Sequence, residues 1–402
     1  MNLARRGLIV LTLINLFNYL DRWILPVLGE TLRTSPLHIS DTQFGLLSSG
    51  FIVVYTLTAP FFGTLGDTRS RTRLIAIGIV IWSVATALGG FAWSFASLFV
   101  ARAVVGIGEA SYGSIAPSLL ADYYPHQSRG RAFGIFYAVI PIGGALGYLV
   151  GGLMDVHFGW RSAFFVAGVP GIILAVLALR LHDPPRGVQD APSPSPAHGG
   201  FKALLRNRPY LFTVLGYAAY TFALGGMVIF MPKFLMRVRG LPEAAVSVRF
   251  SAVLAVMGLL GTYLGGWLGD RLLRRWHQAY LWLSGIATLL AVPCGLLALT
   301  AASPAVYWTA ITVSVFLLML STGPVNTTIV SVVPATMRAT AMAGSIFAIH
   351  ALGDVPSPTL LGWISDKTSL GEAVLIIPIA ILVSGLVWTY AAWRGSRPVT
   401  AA

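Results

Sequence analysis

Gly63-Thr-Leu-Gly-Asp67-Thr-Arg69-Ser-Arg71-Thr-Arg73 is the stretch of sequence that decides the fold, because the chain carries its pattern twice. The second copy reads Gly266-Trp-Leu-Gly-Asp270-Arg271-Leu-Leu-Arg274-Arg275. Each copy ends a long apolar segment with G-x-L-G-D and continues into a basic cluster, at the same place in each half of the chain. Two halves with matching signals indicate an internally duplicated bundle of membrane-spanning helices.

The composition is that of a membrane protein. Hydrophobic residues make up 56% of the chain and charged residues 10%, whereas a soluble domain has about 25% charged residues. A helix needs about 20 largely apolar residues to cross a bilayer. We therefore predict an all-α membrane protein with twelve transmembrane helices in two pseudo-symmetric six-helix bundles. The predicted spans are 7–29, 43–65, 74–93, 96–121, 131–152, 161–181, 209–231, 247–267, 279–300, 304–330, 336–362 and 372–393.

One long polar stretch, 182–208, separates the first six spans from the last six. Its centre is rich in proline and glycine, a composition typical of a linker. We predict an N-terminal bundle at 1–181, a cytoplasmic linker at 182–208 and a C-terminal bundle at 209–402. Apolar and basic residues are interspersed at 200–208, where a short interfacial helix is expected.

The formal net charge of +13 would suit nucleic-acid binding, but its distribution argues against it. Most of the 27 Lys and Arg residues lie in the connections that face inward if the N-terminus is inside. Such a bias places both termini in the cytoplasm. We expect a multi-pass protein of a bacterial inner membrane, in contact with membrane lipids and monomeric.

Four charges lie inside two of the predicted spans. Asp21 and Arg22 interrupt the first span, and Arg102 and Glu109 interrupt the fourth. A charge at bilayer depth costs roughly 2.5–3.5 kcal/mol on insertion scales, and such residues usually mark transport pathways. Arg102 and Glu109 share a helix face to within about 20°. Asp21 and Arg22 are expected close to Arg102 in depth, and Asn18 lies one turn deeper than both.

These charges have two interpretations. In the first, Glu109 and Asp21 carry protons, because the protonation of a carboxylate depends on its burial and on nearby arginines. Arg22 and Arg102 would then bind an anionic headgroup, for which the guanidinium fork is suited. In the second, a static Asp–Arg bridge holds two spans together.

The motifs resemble those of a known family. The G-x-L-G-D-x-R-x-R loop, and Arg102-Ala-Val-Val-Gly106-Ile-Gly108-Glu109-Ala110, resemble signatures of the major facilitator superfamily, with Ser70 where that family usually has glycine. Further stretches are similar to its spinster branch, which is associated with export of lysophospholipid and sphingolipid. These are Asn18-Tyr-Leu-Asp21-Arg22, Gly108-Glu-Ala-Ser-Tyr-Gly-Ser-Ile-Ala-Pro117, Ala121-Asp122 and Asp183-Pro-Pro-Arg-Gly187.

The resemblance implies a gating role for the duplicated loops. Asp67 and Asp270, the latter with Arg271, would each cap the N-terminus of a helix in the other half, a favourable position for an anion. Asp122 would receive Arg71. The alternative is that both aspartates are solvated loop caps.

The expected function is proton-coupled transport of an amphipathic or lipid-like organic anion by alternating access. Arg22 or Arg102 would meet the headgroup, and Tyr19, Tyr112 and Tyr137 would line the apolar part. Two alternatives stay open, which are uptake of a small organic acid and an uncoupled membrane sensor or lipid scramblase. The paired loops argue against the second alternative, since a sensor does not require two matching gate loops.

Three further polar residues are secondary candidates. His350 and Asp354 share a helix face, and Asp354-Val-Pro356-Ser-Pro358 must disrupt the helix there. They form either an outer gate or a local pair. Asn326 lines a cavity or bonds helices together.

No enzyme, cofactor or metal is predicted. The sequence has no P-loop, metal-ligand set or nucleophile constellation, and Gly106-x-Gly108 lies within an apolar helix. Cys294 is the single cysteine, which excludes a disulfide within the chain.

Overall fold

The computed structural model describes residues 3–39, 41–190 and 200–395, and these ranges are helical almost throughout, without a strand. The helices in chain order are α1 (Leu3–Val27), α2 (Gly29–Thr34), α3 (Asp41–Thr68), α4 (Arg71–Gly89), α5 (Phe95–Tyr123), α6 (His126–Phe158), α7 (Trp160–Leu179), α8 (Gly200–Leu204), α9 (Arg208–Arg237), α10 (Glu243–Leu273), α11 (Ala279–Thr300), α12 (Pro304–Met319), α13 (Thr322–Ser331), α14 (Arg338–Ile349), α15 (Pro356–Lys367), α16 (Leu370–Ala373) and α17 (Ile376–Gly395).

These helices suit a lipid environment. Eleven helical segments of the described chain are long and apolar enough to cross a membrane. Their outer faces expose large apolar side chains such as Leu57, Phe61 and Ile173. A helix satisfies its backbone N–H and C=O groups within its own segment, which the bilayer core requires. The all-helical prediction is confirmed for the described residues.

The predicted spans 304–330 and 372–393 are each divided by a two-residue turn, and the predicted span 336–362 departs further from a continuous helix. It consists of α14, a π-helical turn at His350–Asp354 and α15, which begins at Pro356. The cause is the proline pair predicted to disrupt it, since proline supplies no N–H to the helical ladder. The Thr221 hydroxyl donates to the Ile349 carbonyl at 3.2 Å and so satisfies one acceptor at the break.

Contacts between Cα atoms divide the chain into two compact units. Unit 1 consists of the described residues of Met1–Pro125, Val139–Gly200 and Pro334–Ile346. Unit 2 consists of those of His126–Ala138, Phe201–Val333 and Phe347–Ala402. The first turns of α6 thus count with unit 2, and most of α14 counts with unit 1.

The predicted domain boundaries at residues 181 and 209 stay a prediction. Within the predicted linker, residues 182–190 and α8 are described, and 191–199 lie outside the described residues. Leu204 of α8 is buried. The expected interfacial role of 200–208 also stays a prediction.

Two glycines set the position of α5 in unit 1. A Cβ on Gly106 would lie 2.8 Å from the Phe51 carbonyl oxygen, and one on Gly108 would lie 2.5 Å from the Gly78 oxygen. Side chains larger than hydrogen therefore do not fit at either position. The backbone of α5 packs directly against α3 on one side and α4 on the other, which brings Glu109 into the centre of unit 1.

Candidate functional site

Four charges of α1 and α5 form two ion pairs inside unit 1. Nε of Arg22 lies 2.6 Å from Oε2 of Glu109, and Nη1 of Arg102 lies 3.6 Å from Oδ1 of Asp21. Asp21, Arg102 and Glu109 are at most 3% exposed, whereas the Arg22 side chain keeps 20% exposure. Two consecutive residues of α1 thus pair with two residues that are two turns apart on α5.

Aromatic rings surround the Arg22 guanidinium. Its Cζ atom lies 5.0 Å from the ring centre of Tyr19, 5.2 Å from that of Phe51 and 4.9 Å from that of Tyr55. Arg102 also stands over the Phe51 ring, at 5.2 Å. Such cation–π contacts contribute about 0.5–2 kcal/mol each. The aromatic cage holds the guanidinium in an apolar setting, and its Nε atom makes the contact with one oxygen of the Glu109 carboxylate.

Several buried polar atoms of this cluster lack a hydrogen bond. Thr86 of α4 donates to Oδ2 of Asp21 at 2.5 Å. Among the described residues, Oε1 of Glu109, Nδ2 of Asn18 and Nε of Arg102 have no hydrogen-bond partner. A buried polar group without a partner costs about 1–3 kcal/mol. Oδ1 of Asp21 and Nη1 of Arg102 also have no hydrogen bond, because they face each other at 3.6 Å as an ion pair. Outside that pair, these side chains offer one acceptor and two donors to a proton, a water molecule or a bound anion.

The predicted tyrosines occupy different surroundings. Tyr19 belongs to the aromatic cage. The Tyr112 hydroxyl donates to the Leu11 carbonyl at 2.5 Å, and its ring meets Trp82 edge-on, so Tyr112 ties α5 to α1 and α4. Its expected place along the apolar part of a cavity stays a prediction.

Tyr137 and Asn326 form a separate polar group in unit 2. The Tyr137 hydroxyl donates to Oδ1 of Asn326 at 3.2 Å, and the Asn326 amide donates to the Tyr217 hydroxyl at 3.2 Å. Asn326 is 2% exposed. These hydrogen bonds link α6, α9 and α13, as the helix-bonding alternative expects, and a place along a cavity for Tyr137 and Asn326 stays a prediction.

Asp67 caps α14 within unit 1. Its two carboxylate oxygens accept the backbone N–H groups of Ala339 and Thr340, each at 2.9 Å. Both groups belong to the first turn of α14, where backbone N–H groups have no intrahelical partner. The predicted contact of Asp67 with a helix N-terminus of the second half is therefore present.

Asp122 lies between two buried arginines in the same unit. It accepts hydrogen bonds from Nη1 of Arg71 and from Nη1 of Arg338. Arg71 also donates to Asp183 through Nε and through its backbone N–H, each at 2.8 Å. Arg338 pairs with Asp190 at 2.5 Å. Two arginines and three carboxylates thus form one network with a formal charge of −1, of which the Arg71–Asp122 pair was predicted.

The segment Asp183-Pro-Pro-Arg-Gly187 completes this network. Arg186 donates to the carbonyl oxygens of Gly66 and Arg69 at 2.8 and 2.6 Å, and the Gly187 N–H donates to Asp122 at 3.0 Å. Gly187 has φ +76°, which favours glycine. Burial and the neighbouring Arg71 lower the pKa of the Arg186 guanidinium. We call Asp67, Arg71, Asp122, Arg338 and residues 183–190 the unit 1 latch.

Asp270 makes the corresponding contact in unit 2. One oxygen accepts the Arg131 N–H at 2.8 Å, and the other accepts the Tyr280 hydroxyl at 2.8 Å. The buried Arg129 donates to the Ser331 hydroxyl at 3.3 Å. Ser331 stands three residues before Pro334, as Asp122 stands three before Pro125. We call Asp270, Arg129, Arg131, Tyr280 and Ser331 the unit 2 latch. It has the Ser331 hydroxyl where the unit 1 latch has the Asp122 carboxylate.

The remaining predicted residues lie apart from these networks. Arg271, which was grouped with the gate, is exposed and lies over the Trp267 ring at 5.5 Å. It forms no ion pair with a carboxylate of the described chain. His350 and Asp354 contact each other at 2.9 Å in the π-helical turn, which is the local-pair alternative.

Comparisons with known proteins identify the family. The sequence model described as Major Facilitator Superfamily matches residues 11–344. Protein spinster of Drosophila melanogaster is 33% identical over 371 residues, which cover 89% of this chain and 61% of that protein. Spinster homolog 3 of Danio rerio is 35% identical, with 94% of this chain and 82% of that protein covered.

A solved structure has the same fold over its whole length. It is the crystal structure of a bacterial homolog to the human lysosomal transporter Spinster, in an inward-facing and unoccupied conformation. The TM-score is 0.67, the sequences are 25% identical, and 99% of each chain is covered.

Proposed function

Because this chain belongs to the major facilitator superfamily and to its spinster-like branch, we propose that it couples the proton gradient to movement of an amphipathic, lipid-like organic anion. It is an integral multi-pass membrane protein with a transporter fold. The proposal includes alternating access, a monomer in a bacterial inner membrane and both termini in the cytoplasm.

The observation that carries the proposal is the buried Arg22–Glu109 ion pair in its aromatic cage. A buried pair adds little net stability, because the desolvation of both charges offsets their attraction. Instead, the pair lets the Glu109 carboxylate and an anionic headgroup compete for the Arg22 guanidinium. When Glu109 takes up a proton, it loses its negative charge and its attraction to Arg22 weakens. The guanidinium then becomes available to an anionic headgroup. One proton and one anion would then occupy the same state of the protein.

The unpartnered atoms support an anion with a polar head. Nε of Arg102 and Nδ2 of Asn18 are buried donors without hydrogen bonds in the described chain. The rings of Tyr19, Phe51 and Tyr55 supply apolar surface beside them. A headgroup on the donors and an apolar chain against the rings would satisfy both surfaces, which favours an amphipathic substrate over a small organic acid.

The two latches fit the gating that alternating access requires. Asp67 and Asp270 each hold the N-terminal turns of a helix that follows a proline in the chain, at Pro334 and Pro125. We propose that both latches close in the outward-facing state and open in the inward-facing state.

Transport into liposomes tests the proposal. The purified protein is reconstituted, and uptake of a labelled lysophospholipid, a sphingoid phosphate or succinate is followed with and without an imposed pH gradient. Accumulation of a lipid-like anion that requires the gradient supports the proposal. Accumulation of succinate alone supports organic-acid uptake. Lipid equilibration that ignores pH supports a scramblase, and no counterflow of any ligand supports a sensor.

A further inference from the structure

A basic cavity in unit 2 adjoins the Asp270–Arg131 contact, and the arginine side chains that line it have no role in the function proposed above. Its volume is about 570 Å³, and it lies where the first turn of α6 meets the end of α10. Four arginines line it, together with two uncharged polar side chains. These residues are Arg131, Arg271, Arg274, Arg275, Gln127 and Ser128.

The charges of this cavity are unbalanced. Asp270 is its single lining carboxylate, and both of its oxygens already accept hydrogen bonds from Arg131 N–H and Tyr280. Arg271, Arg274 and Arg275 are exposed and have no salt bridge to a carboxylate of the described chain. Guanidinium groups match phosphate oxygens in a two-pronged geometry, so a phosphate group is the anion that this arrangement favours.

An apolar face of α10 leads into the cavity. Trp267 lines it, and Val256, Leu260 and Tyr263 are exposed at helical spacing on the same face. From Val256 to Trp267 this face extends about 16 Å, at a rise of ~1.5 Å per residue. A soluble phosphate would leave this face unused, whereas an acyl chain would cover it.

We propose that the basic cavity binds the phosphate headgroup of an anionic phospholipid, with an acyl chain along the exposed face of α10. Basic pockets between transmembrane helices are suited to such headgroups. The headgroup would join Arg131 of α6 to the arginines at the end of α10. Because the Asp270–Arg131 contact joins the same two helices, the bound lipid would hold the unit 2 latch closed.

Native mass spectrometry of the full-length protein in detergent tests this site. The protein is titrated with phosphatidylglycerol, phosphatidylcholine or glycerol 1-phosphate. We expect phosphatidylglycerol to bind at least tenfold more tightly than phosphatidylcholine, which corresponds to about 1.4 kcal/mol. The variant Arg271→Gln/Arg274→Gln/Arg275→Gln should lose that preference.

A matched control removes the same charge elsewhere. Arg73, Arg206 and Arg208 are exposed and do not line the cavity, so Arg73→Gln/Arg206→Gln/Arg208→Gln should keep the preference for phosphatidylglycerol. Equal losses in both triple variants would mean that only surface charge attracts the lipid, and the site would be refuted. Binding of glycerol 1-phosphate as tight as that of phosphatidylglycerol would refute the lipid assignment.

Two controls test whether the cavity variant is folded and whether the lipid site is independent of the candidate substrate site. The unfolding temperature in detergent shows whether the cavity variant is folded, and Arg275→Gln alone gives a milder change that should weaken binding in the same direction. Arg102→Ala, in the candidate substrate site, should leave the phosphatidylglycerol preference unchanged. A failure of the proposed transport function would therefore leave this binding result standing, and the reverse also holds.

Discussion

Nε of Arg22 lies 2.6 Å from the Glu109 carboxylate, and this contact joins α1 to α5 in the interior of unit 1. The second carboxylate oxygen of Glu109 accepts no hydrogen bond from the described residues. Glu109 is thus held by one partner on one side and is open to another on the other side. In this respect Glu109 differs from Asp122, whose carboxylate accepts hydrogen bonds from two arginines and a backbone N–H.

Glu109→Gln should abolish pH-driven transport and leave folding and ligand exchange largely intact. Glutamine keeps an oxygen that accepts from Arg22, but it cannot exchange a proton. Uptake into liposomes under a pH gradient measures the loss, and counterflow without a gradient measures the exchange. Glu372→Gln is the matched control, because Glu372 is exposed. Unchanged gradient-driven uptake by Glu109→Gln would remove Glu109 as the proton carrier.

Arg22→Ala should lower the unfolding temperature in detergent, and Glu109→Gln in the same chain should restore part of the loss. The single change leaves a buried carboxylate without its partner, which typically costs about 3–5 kcal/mol for a fully buried pair. Arg22 keeps 20% side-chain exposure, so we expect less than that. An additive double variant would show that the two side chains do not interact.

Arg102→Ala should weaken binding of an anionic ligand more than Arg102→Lys does. Lysine retains the charge but loses the fork, and Nε of Arg102 is among the buried donors without a partner in the described chain. Tenfold weaker binding by the alanine variant corresponds to about 1.4 kcal/mol, which a thermal-shift titration resolves. Asp21→Asn and Arg22→Ala should impair binding as well. Binding that is indifferent to all of these changes would refute the headgroup site.

The sequence predicted the clusters better than it predicted the pairs. Opposite charges on the first and fourth spans indicated one site, and the structure brings those charges together. Depth along the helices favoured Arg102 as the neighbour of Asp21 and Arg22, but the structure pairs Arg22 with Glu109. The reason is that an arginine side chain reaches across most of a helix turn, so the depth of a Cα atom does not determine the partner of its guanidinium.

The latch shows the same limit for long-range contacts. The cap by Asp67 and the Arg71–Asp122 pair followed from the family motif. Arg338 was not predicted as the second partner of Asp122. The two residues are far apart in the sequence, and no motif distinguishes Arg338 from the other arginines as a partner for Asp122. The motif Asp183-Pro-Pro-Arg-Gly187 was noticed as a resemblance, yet its place in the latch depends on how the chain returns after α7.

Arg186→Gln should weaken the unit 1 latch, because its guanidinium binds two carbonyl oxygens at the end of α3. We expect a larger inward-facing population, measured as a longer distance between spin labels at Arg73→Cys and His277→Cys in a Cys294→Ala background. Arg69→Gln is the matched control, since it removes the same charge from an exposed side chain of the loop between α3 and α4. Equal distances in the two variants would exclude a specific role for Arg186.

Asp67→Ala should shift the protein toward the inward-facing state more strongly than Asp270→Ala does. Asp67 caps two N–H groups of α14 beside the charged network of Arg71, Asp122 and Arg338. Contacts of an anion with a helix terminus contribute about 0.3–1 kcal/mol, and up to ~2 when partly buried. A loss of about 1.4 kcal/mol changes the ratio of two states tenfold, so the removal of a single cap should be visible.

The smaller effect of Asp270→Ala has a structural reason. Where the unit 1 latch has the Asp122 carboxylate between two arginines, the unit 2 latch has the Ser331 hydroxyl, which accepts from Arg129 at 3.3 Å and carries no charge. The ion pairs of Asp122 therefore add to the free energy of opening the unit 1 latch, and Ser331 adds no such pair to the unit 2 latch. The same spin labels measure both variants, in neutral and acidified samples. If the distances in Asp67→Ala match those of the parent protein in both samples, Asp67 is a loop cap and the latch assignment is wrong.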